Sequence, residues 1–336
     1  MTKVAVMGSG SMGTAYAMVM ADAGSEVKMW AREPEVVEDI NKNHKNEMFH
    51  PGLDLPEDLV CSLDPSEVLD DAEIVVLAIP AQTLRSNLAE WKQYLSPGAL
   101  LVTLMKGIEQ GTKMRMSQVI SQVADVPASQ VAVVSGPNLA REIIQRQPAA
   151  TTVACVDADA AKKLQDASSN SYFRPYYTQD VVGVEIGGAV KNVIALANGM
   201  AVGQGFGENT QATLVTRGLA EMARLGEALD ANPMTFLGLA GMGDLIATCT
   251  SSLSRNRTFG ENLGKGLTVA ETVAITNQTS EGVKSCLPIL EMARDAGVEM
   301  PITEQVVNVV HNEMKPRDML ARLMARPVRE EQGQSV

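Results

Sequence analysis

The chain has 336 residues, of which 45% are hydrophobic and 20% charged, and its formal net charge is −12. This length exceeds the usual size of one hydrophobic core and favours two domains. The acidic charge argues against nucleic acid and anionic membrane surfaces as partners, because no basic segment offsets it.

The cysteines and histidines are too dispersed to indicate disulfides or a zinc site. The pattern favours reduced thiols in a cytoplasmic protein and predicts no metal, although sites built from Asp and Glu alone stay open. No uninterrupted apolar run reaches the roughly 18 residues of a membrane span. The first residues, MTKVAVMGSGSMG, lead directly into a strand and lack a signal-peptide pattern. The residues concerned are Cys61, Cys155, Cys249, Cys286, His44, His50 and His311.

The first half of the chain alternates short apolar strands with amphipathic helices. This alternation predicts right-handed crossovers and a largely parallel, Rossmann-type sheet. The predicted strands are Lys3–Met7, Glu26–Trp30, Leu59–Ser62, Ile74–Ala78, Leu100–Leu104, Val131–Val134, Ala150–Val156 and Phe173–Thr178. The predicted helices are Thr14–Ala23, Pro34–Asn43, Thr83–Tyr94 and Lys113–Ala124.

After residue 180 the strand pattern nearly vanishes and helical patterns follow one another. We therefore predict a Rossmann domain over residues 1–182, an all-helical domain over 183–326 and a polar tail over 327–336. The predicted helices cover residues 181–203, 209–230, 244–250, 256–264, 283–296, 301–313 and 316–325.

The stretch VAVMGSGSMGTA places Gly8, Gly10 and Gly13 between a strand and a helix. Gly8 permits a tight turn, Gly10 lets the backbone approach a pyrophosphate, and Gly13 lets the helix pack on the strand. The helix N-terminus then offers N–H groups to the phosphates. The motif predicts a dinucleotide site.

The charged residue just beyond the second strand indicates which dinucleotide is favoured. An acid there binds the ribose of NAD, whereas this chain has Arg32, which suits the 2′-phosphate of NADP. Glu33 follows at once, so use of both cofactors stays open. The alternative for Arg32 is a solvated surface charge.

Polar residues follow two strands at the edge of the sheet where ligands bind. Lys106 lies in LMKG after one strand, and Gly136 and Asn138 lie in GPNLARE after another. Asn138 is also a candidate N-cap for the helix that follows.

A third polar stretch is GLAGMGDLIATCTSSLSRNRTFG, residues 238–260. Asp244 and Thr248 are four residues apart and share a helix face. The run Ser254–Arg257 supplies hydroxyl, amide and guanidinium donors that suit a phosphate. The alternative is a solvated basic turn.

Lys191 lies in the apolar helix GGAVKNVIALANG. Its neighbours on one face are small, namely Gly187, Gly188 and Ala195, so the lysine is expected to point into a cleft, where it can donate a proton to a carbonyl oxygen. Lys106 is a candidate neighbour that lowers its pKa. From this helix alone, a lysine that extends its charge to solvent is the alternative.

Together MGSGSMGTA, LMKGIE, SGPNLARE, EIGGAVKNVIALANG, the 238–260 block and SEGVKS resemble the bacterial-type NAD(P)-dependent glycerol-3-phosphate dehydrogenases, to about Thr303. The resemblance implies a Rossmann domain, a helical domain of the 6-phosphogluconate dehydrogenase C-terminal-like type, and an active site between them. It implies cytoplasmic reduction of dihydroxyacetone phosphate to sn-glycerol 3-phosphate for phospholipid synthesis, with NADPH or NADH and no metal. Separately from the resemblance, methionine-rich helices near the C-terminus could pair in a homodimer, and the sequence leaves the oligomeric state open.

The resemblance also assigns roles to residues. Lys191 is implied as the proton donor or acceptor, with Lys106 and Asp244 completing the catalytic set. The implied substrate contacts are Lys106, Gly136, Asn138, Lys191, Asn192, Asp244, Thr248, Ser254, Arg255 and Asn256. The implied cofactor contacts are Gly8, Gly10, Ser11, Met12, Gly13, Arg32, Phe49, Lys106, Ala140, Arg255, Thr279 and Glu281.

This sequence departs from the family pattern at three places. Met12 replaces an aromatic residue, GPNLA replaces the usual Ser/Thr-Phe form around Asn138, and Thr279-Ser280 precedes Glu281. These changes affect cofactor affinity and the contact of Asn138, and they leave the lysines unchanged. Two alternatives to the predicted activity are another two-domain reductase, of the β-hydroxyacid or ketopantoate type, and a dinucleotide-sensing protein without catalysis.

Overall fold

In the computed structural model, which describes residues 1–276 and 280–327, eight strands form one sheet in the order β3-β2-β1-β4-β5-β6-β7-β8. All eight predicted strands are present, with ends shifted by at most two residues. They are β1 Lys3–Met7, β2 Glu26–Trp30, β3 Val60–Ser62, β4 Ile74–Leu77, β5 Leu100–Thr103, β6 Val131–Ser135, β7 Ala149–Ala154 and β8 Phe173–Thr178.

The last two strands run against the first six. Strand β7 pairs antiparallel with β6, and β8 pairs parallel with β7. The α-helix between β6 and β7, Ala140–Ile144, has five residues and a length of about 7.5 Å. It is too short to carry the chain back along the sheet, so β7 starts at the edge where β6 ends.

Seven α-helices accompany the sheet. Two of them, α3 and α7, were not predicted, and α6 is the short helix that was expected after Asn138. The seven are α1 Ser11–Asp22, α2 Pro34–Asn43, α3 Pro65–Leu69, α4 Leu84–Trp91, α5 Met116–Ala124, α6 Ala140–Ile144 and α7 Ala158–Ser168. Short 3₁₀ turns occupy Ala81–Thr83, Lys92–Tyr94 and Ala128–Gln130.

From residue 181 onward the described chain is helical. Helix α12 was not predicted, and the other helices overlap the predicted ones. They are α8 Val181–Gly203, α9 Glu208–Ala228, α10 Asp244–Thr250, α11 Arg255–Gly264, α12 Val269–Thr276, α13 Glu281–Asp295, α14 Pro301–His311 and α15 Pro316–Met324. A 3₁₀ helix, Pro233–Leu237, and a π-helical turn, Leu239–Gly243, precede α10. The boundary at residue 182 stays a prediction, and residues 328–336 of the predicted tail lie outside the described residues.

Helix α8 forms the centre of the helical part. Among the described helices it alone is long and apolar enough to span a membrane, yet 94% of its most apolar window is buried inside the protein. Its apolar residues pack with α9, α10, α11, α13 and α14 in a core separate from the cores on the sheet. The helix is therefore the buried axis of the C-terminal part.

Glycines let α11 approach α8 at backbone distance. A Cβ on Gly260 would lie 2.2 Å from the carbonyl oxygen of Leu196, and one on Gly199 would lie 2.1 Å from the oxygen of Arg257. Because a backbone carbonyl cannot move away alone, side chains are excluded at these positions. The contact fixes the start of α11 against the helix that carries Lys191.

We expect Gly260→Ala to destabilise the protein by about 1–3 kcal/mol, because the new methyl group overlaps the α8 backbone. Thermal unfolding followed by circular dichroism measures the effect. The matched control is Gly207→Ser, since the Cβ position of Gly207 meets nothing within 4 Å and its φ is −82°. Equal melting temperatures for Gly260→Ala and the wild type would contradict the packing argument.

Candidate active site

The carboxylate of Asp244 lies between two ammonium groups. Its Oδ2 is 2.6 Å from Nζ of Lys106, and its Oδ1 is 2.9 Å from Nζ of Lys191. Thr248 accepts a hydrogen bond from Lys191 at 2.7 Å and donates to Asp244 Oδ1 at 3.2 Å. The structure therefore brings together the three predicted catalytic residues and one predicted substrate contact.

These three charged groups belong to three separate elements of the structure. Lys106 follows β5 at the carboxyl edge of the sheet, Lys191 lies in the middle of α8, and Asp244 begins α10. A Cβ on Gly187 would lie 2.5 Å from the Ala240 carbonyl oxygen. The small face of α8 is thus occupied by the turn before α10, which brings Asp244 to the lysine.

The aliphatic part of the Lys106 side chain and the hydroxyl of Ser135 pack against α8 at Gly188. A Cβ on Gly188 would lie 3.4 Å from Cγ of Lys106 and 2.9 Å from Oγ of Ser135. Ser135 also donates to Asp244 Oδ2 at 3.4 Å. Sequence reasoning missed Ser135, although it directly precedes Gly136 at the end of β6.

Burial and charge shift the ionisation of the site. Burial lowers the pKa of Lys106 from 10.5 to about 8, with Asp244 opposing the shift and Lys191 adding to it. Burial raises the pKa of Asp244, but the charges of Lys106 and Lys191 together outweigh it and hold the pKa below its usual value. Two cations on one anion leave the cleft positive, which suits an anionic ligand.

The segment after β6 provides one carbonyl and one amide. The carbonyl oxygen of Gly136 accepts a hydrogen bond from Nζ of Lys106 at 3.0 Å. The prediction that Asn138 caps a helix was wrong, because α6 begins at Ala140 and Asn138 donates instead to Thr151 Oγ1 at 2.7 Å. Oδ1 of Asn138 is buried without a partner among the described residues. Its contact with substrate stays a prediction.

Asn192 and Asn256 bind each other. Asn256 donates to Oδ1 of Asn192 at 2.9 Å and accepts a hydrogen bond from the backbone of Gly282 at 2.9 Å. Asn192 donates to the carbonyl oxygens of Lys106, at 2.9 Å, and Gly188, at 3.3 Å. This amide pair joins α8, α11 and α13 to the Lys106 segment. The predicted substrate contacts of both residues remain untested.

The start of α11 carries the other predicted phosphate ligands. Ser254 is buried and caps the helix by accepting a hydrogen bond from the backbone of Arg257 at 3.2 Å. Arg255 lies in the first turn and is exposed. The Arg257 guanidinium pairs with Glu261 at 3.6 Å. Ser254, Arg255 and Asn256 therefore lie together at a helix N-terminus, where anions are favoured.

The glycine loop has the shape that a dinucleotide needs. Gly8 has a φ of +129°, and a Cβ there would lie 2.5 Å from the Ala78 carbonyl oxygen. A Cβ on Gly13 would lie 2.0 Å from the Gly8 oxygen, whereas one on Gly10 would meet nothing within 4 Å. No side chain caps α1. The backbone at Gly10 is therefore open and no side chain covers the start of α1, and phosphate binding there stays a prediction.

The loop around Phe49 supports this turn through His50 and Asn46, which sequence reasoning did not assign to the site. His50 donates through Nε2 to the carbonyl oxygen of Ser11 at 2.8 Å, and burial lowers the pKa of His50. Asn46 donates to the carbonyl oxygen of Ser9 at 2.9 Å. Phe49 and Met12 are partly buried against the adjacent core. The predicted cofactor contacts Ser11, Met12 and Phe49 thus lie around one loop.

Arg32 projects from the end of β2 into solvent. Its side chain is 82% exposed and binds the Glu33 carboxylate through Nε at 3.1 Å and Nη2 at 2.8 Å. Binding a 2′-phosphate requires the guanidinium to leave this neighbour. The NADP preference stays a prediction.

The remaining predicted cofactor contacts lie on two helix starts. Ala140 begins α6, which packs on α1. Glu281 begins α13, and its Oε2 lies 3.1 Å from the Cβ position of Gly107 and has no partner among the described residues. Burial raises the pKa of Glu281, with Lys284, the Ala81 backbone and Arg255 opposing the shift. Thr279 lies outside the described residues.

Within residues 1–276 and 280–327, no group of three or more His, Cys, Asp or Glu side chains could hold a metal ion. The four cysteines are free and buried. The lysine, amide and hydroxyl groups of the described site are suited to proton transfer and anion binding.

The sequence matches two parts of one protein family. Residues 3–161 match the N-terminus of NAD-dependent glycerol-3-phosphate dehydrogenase, and residues 180–321 match its C-terminus. The chain belongs to this family. The predicted family, fold class and oxidoreductase class are confirmed, and membership removes the ketopantoate-type alternative.

Similar proteins cover nearly the whole chain. A protein of Streptomyces griseus subsp. griseus named glycerol-3-phosphate dehydrogenase [NAD(P)+] is 56% identical over 98% of each chain. One of the same name from Thermobifida fusca is 57% identical over 98% of this chain and 99% of its own. The crystal structure of glycerol-3-phosphate dehydrogenase from Coxiella burnetii is 32% identical, with a TM-score of 0.91 over 96% of this chain and 98% of that one.

Proposed function

We propose that this chain catalyses reversible hydride transfer between a nicotinamide dinucleotide and dihydroxyacetone phosphate, which is reduced to sn-glycerol 3-phosphate. The dehydrogenase activity with NAD(P) follows from family membership and from relatives at about 55% identity. The residue roles below are our proposal. The observation that supports them most is the Asp244 carboxylate shared by Lys106 and Lys191 beside the carboxyl edge of the sheet.

The dinucleotide binds at the glycine loop. Gly8 and Gly13 shape the turn, and the open backbone at Gly10 takes the pyrophosphate at the start of α1. The carboxyl edge of the sheet, where β5 delivers Lys106, is where nucleotide ligands of such sheets lie.

The substrate phosphate binds at the start of α11. Ser254, Arg255 and Asn256 supply a hydroxyl, a guanidinium and an amide within three residues, and the helix dipole adds to their attraction. Asn256 uses one N–H bond for Asn192, and its nitrogen carries a second one for a ligand. A phosphate monoester uses such a set of donors more fully than a carboxylate does.

Lys191 moves the proton. When bound, the reduced nicotinamide supplies a hydride to the substrate carbonyl carbon. Nζ of Lys191 stabilises the negative charge that grows on the carbonyl oxygen and gives that oxygen a proton. In the reverse direction Nζ takes the proton from the hydroxyl. Asp244 lies 2.9 Å from this ammonium and attracts it, since opposite charges about 4 Å apart attract by about 4 kcal/mol at an effective dielectric of 20.

Several finer features belong to the same proposal. NADP is favoured over NAD because Arg32 follows the end of β2, where a cation suits the 2′-phosphate, and both cofactors are used. The reaction takes place in the cytoplasm and supplies a head-group precursor for phospholipids. Nucleic acid and membrane insertion play no part, and a homodimer remains a prediction.

One assay tests the activity directly. Purified protein mixed with dihydroxyacetone phosphate and NADPH or NADH should consume the nicotinamide absorbance with both cofactors, and NADPH should give the higher kcat/KM. Dihydroxyacetone without phosphate should react far more slowly, because it lacks the group that binds α11. Absence of turnover with both cofactors would leave only a dinucleotide-binding protein and refute the proposal.

The variant Lys191→Ala should lower kcat by about 10²- to 10⁴-fold, because the proton donor is lost, while NADPH binding stays unchanged. Steady-state rates and a fluorescence titration with NADPH measure the two quantities. Lys163→Ala is the matched control, since that lysine is 46% exposed and pairs with Glu73 on the surface. A near-normal kcat in Lys191→Ala would remove Lys191 from the mechanism.

The ionisation of Lys106 should set a pH dependence. Its charged form attracts the phosphate substrate, and its pKa is lowered by burial to about 8. We therefore expect kcat/KM for ketone reduction to be level below about pH 8 and to fall about tenfold per unit above it. The kcat/KM of the variant Lys106→Met should be lower than that of the wild type and should not fall above about pH 8. A wild-type profile that stays level to about pH 10 would contradict the role of Lys106.

A further inference from the structure

A second buried carboxylate joins the two lysine-bearing parts of the chain. Glu185 lies on α8, six residues before Lys191, and its side chain is 4% exposed. Its Oε1 accepts a hydrogen bond from the backbone of Ser117 at 2.8 Å, and its Oε2 accepts one from the Ser117 hydroxyl at 2.6 Å. Nη1 of Arg115 donates to Oε2 at 2.5 Å. Every one of these contacts crosses from the helical part to the start of α5.

The partners of Glu185 are themselves tied to Lys106. Arg115 forms an isolated antiparallel bridge with Ile108, two residues after Lys106. Glu109 donates its backbone N–H to the carbonyl oxygen of Met114 at 2.9 Å, which closes the same loop. A continuous path of short contacts therefore runs from Lys106 through this loop to Glu185, and along α8 to Lys191.

The arrangement suits a carboxylate for two physical reasons. Ser117 lies in the first turn of α5, where the helix dipole and unsatisfied N–H groups favour negative charge. The guanidinium of Arg115 compensates the charge of Glu185, so neither is buried unpaired. A glutamine at position 185 would have only one acceptor oxygen. Its NH₂ group would face the backbone N–H and hydroxyl of Ser117 and the guanidinium of Arg115, which all donate hydrogen bonds.

We infer that Glu185 is a positioning residue for the reaction. By binding Arg115 and Ser117 it fixes α8 against the Lys106 loop, and so sets the separation of the two ammonium groups that share Asp244. This inference rests on the proposed function. Glu185 acts through these contacts, and the described structure gives it no hydrogen bond to the lysines or to Asp244.

The test is the variant Glu185→Gln in the full chain. We expect kcat for dihydroxyacetone phosphate reduction to fall about tenfold while the KM for NADPH is unchanged, because the contacts of Glu185 with Arg115 and Ser117 do not involve the glycine loop. Arg115→Gln should show the same loss, and the double variant should lose no more than either single one, because both changes break one contact. Additive losses or an unchanged kcat would overturn the inference.

The matched control is Asp22→Asn. Asp22 accepts hydrogen bonds from Arg146 at 2.9 and 3.2 Å and from the Tyr172 hydroxyl at 2.7 Å, and all three residues lie in the sheet-bearing part. This substitution removes an arginine–carboxylate pair without freeing α8. The kcat of Asp22→Asn should stay within about twofold of wild type. A loss equal to that of Glu185→Gln would show a general effect of losing an ion pair and overturn the inference.

A measurement without substrates separates this inference from the proposed activity. The pH dependence of Lys106 acylation by an amine-reactive reagent, read by mass spectrometry, gives its pKa in the protein alone. In Glu185→Gln the pKa should rise from about 8 towards 10.5, because a looser cleft is less desolvated and Lys191 is further away. An unchanged pKa would refute the positioning role even if the enzyme were inactive for another reason.

Discussion

The buried ion triad of Lys106, Asp244 and Lys191 is the interaction on which the rest of the site depends. An ammonium in the middle of an apolar helix is costly unless an opposite charge lies beside it. Asp244 supplies that charge to both lysines, at 2.6 and 2.9 Å, and it is kept ionised by them. Since the three groups come from the sheet, α8 and α10, the same contacts that build the site also hold the two parts of the chain together.

Close backbone approach makes this triad possible. The turn before α10 reaches α8 only because Gly187 has no side chain, and α11 reaches it because Gly199 and Gly260 have none. These approaches place the start of α11, with its phosphate-binding candidates, on the same helix that carries Lys191. The Asn192–Asn256 pair then links this helix start to the Lys106 segment at hydrogen-bond distance. The residues that we propose for substrate binding and proton transfer therefore lie on helices that pack directly against one another.

The sequence predicted the parts of the molecule that local chemistry determines. Strand positions, the glycine loop, and the convergence of Lys106, Lys191 and Asp244 follow from periodicity, from motifs and from the family resemblance. What it did not predict depends on contacts between distant segments. The antiparallel turn at β7, the bond from Asn138 to Thr151, and the support of the loop by His50 each involve partners that no local pattern identifies. Helix α3 was missed because its five residues carry too little periodicity.

The most direct test is a crystal structure of the wild-type protein with the oxidised cofactor and sn-glycerol 3-phosphate. The quantity to measure is the distance from Nζ of Lys191 to the substrate oxygen on the carbon that exchanges hydride. The account predicts a hydrogen bond of about 3 Å, with Asp244 still bound to the same ammonium. A Lys191 ammonium turned to bulk solvent, away from both the substrate and the nicotinamide ring, would contradict it.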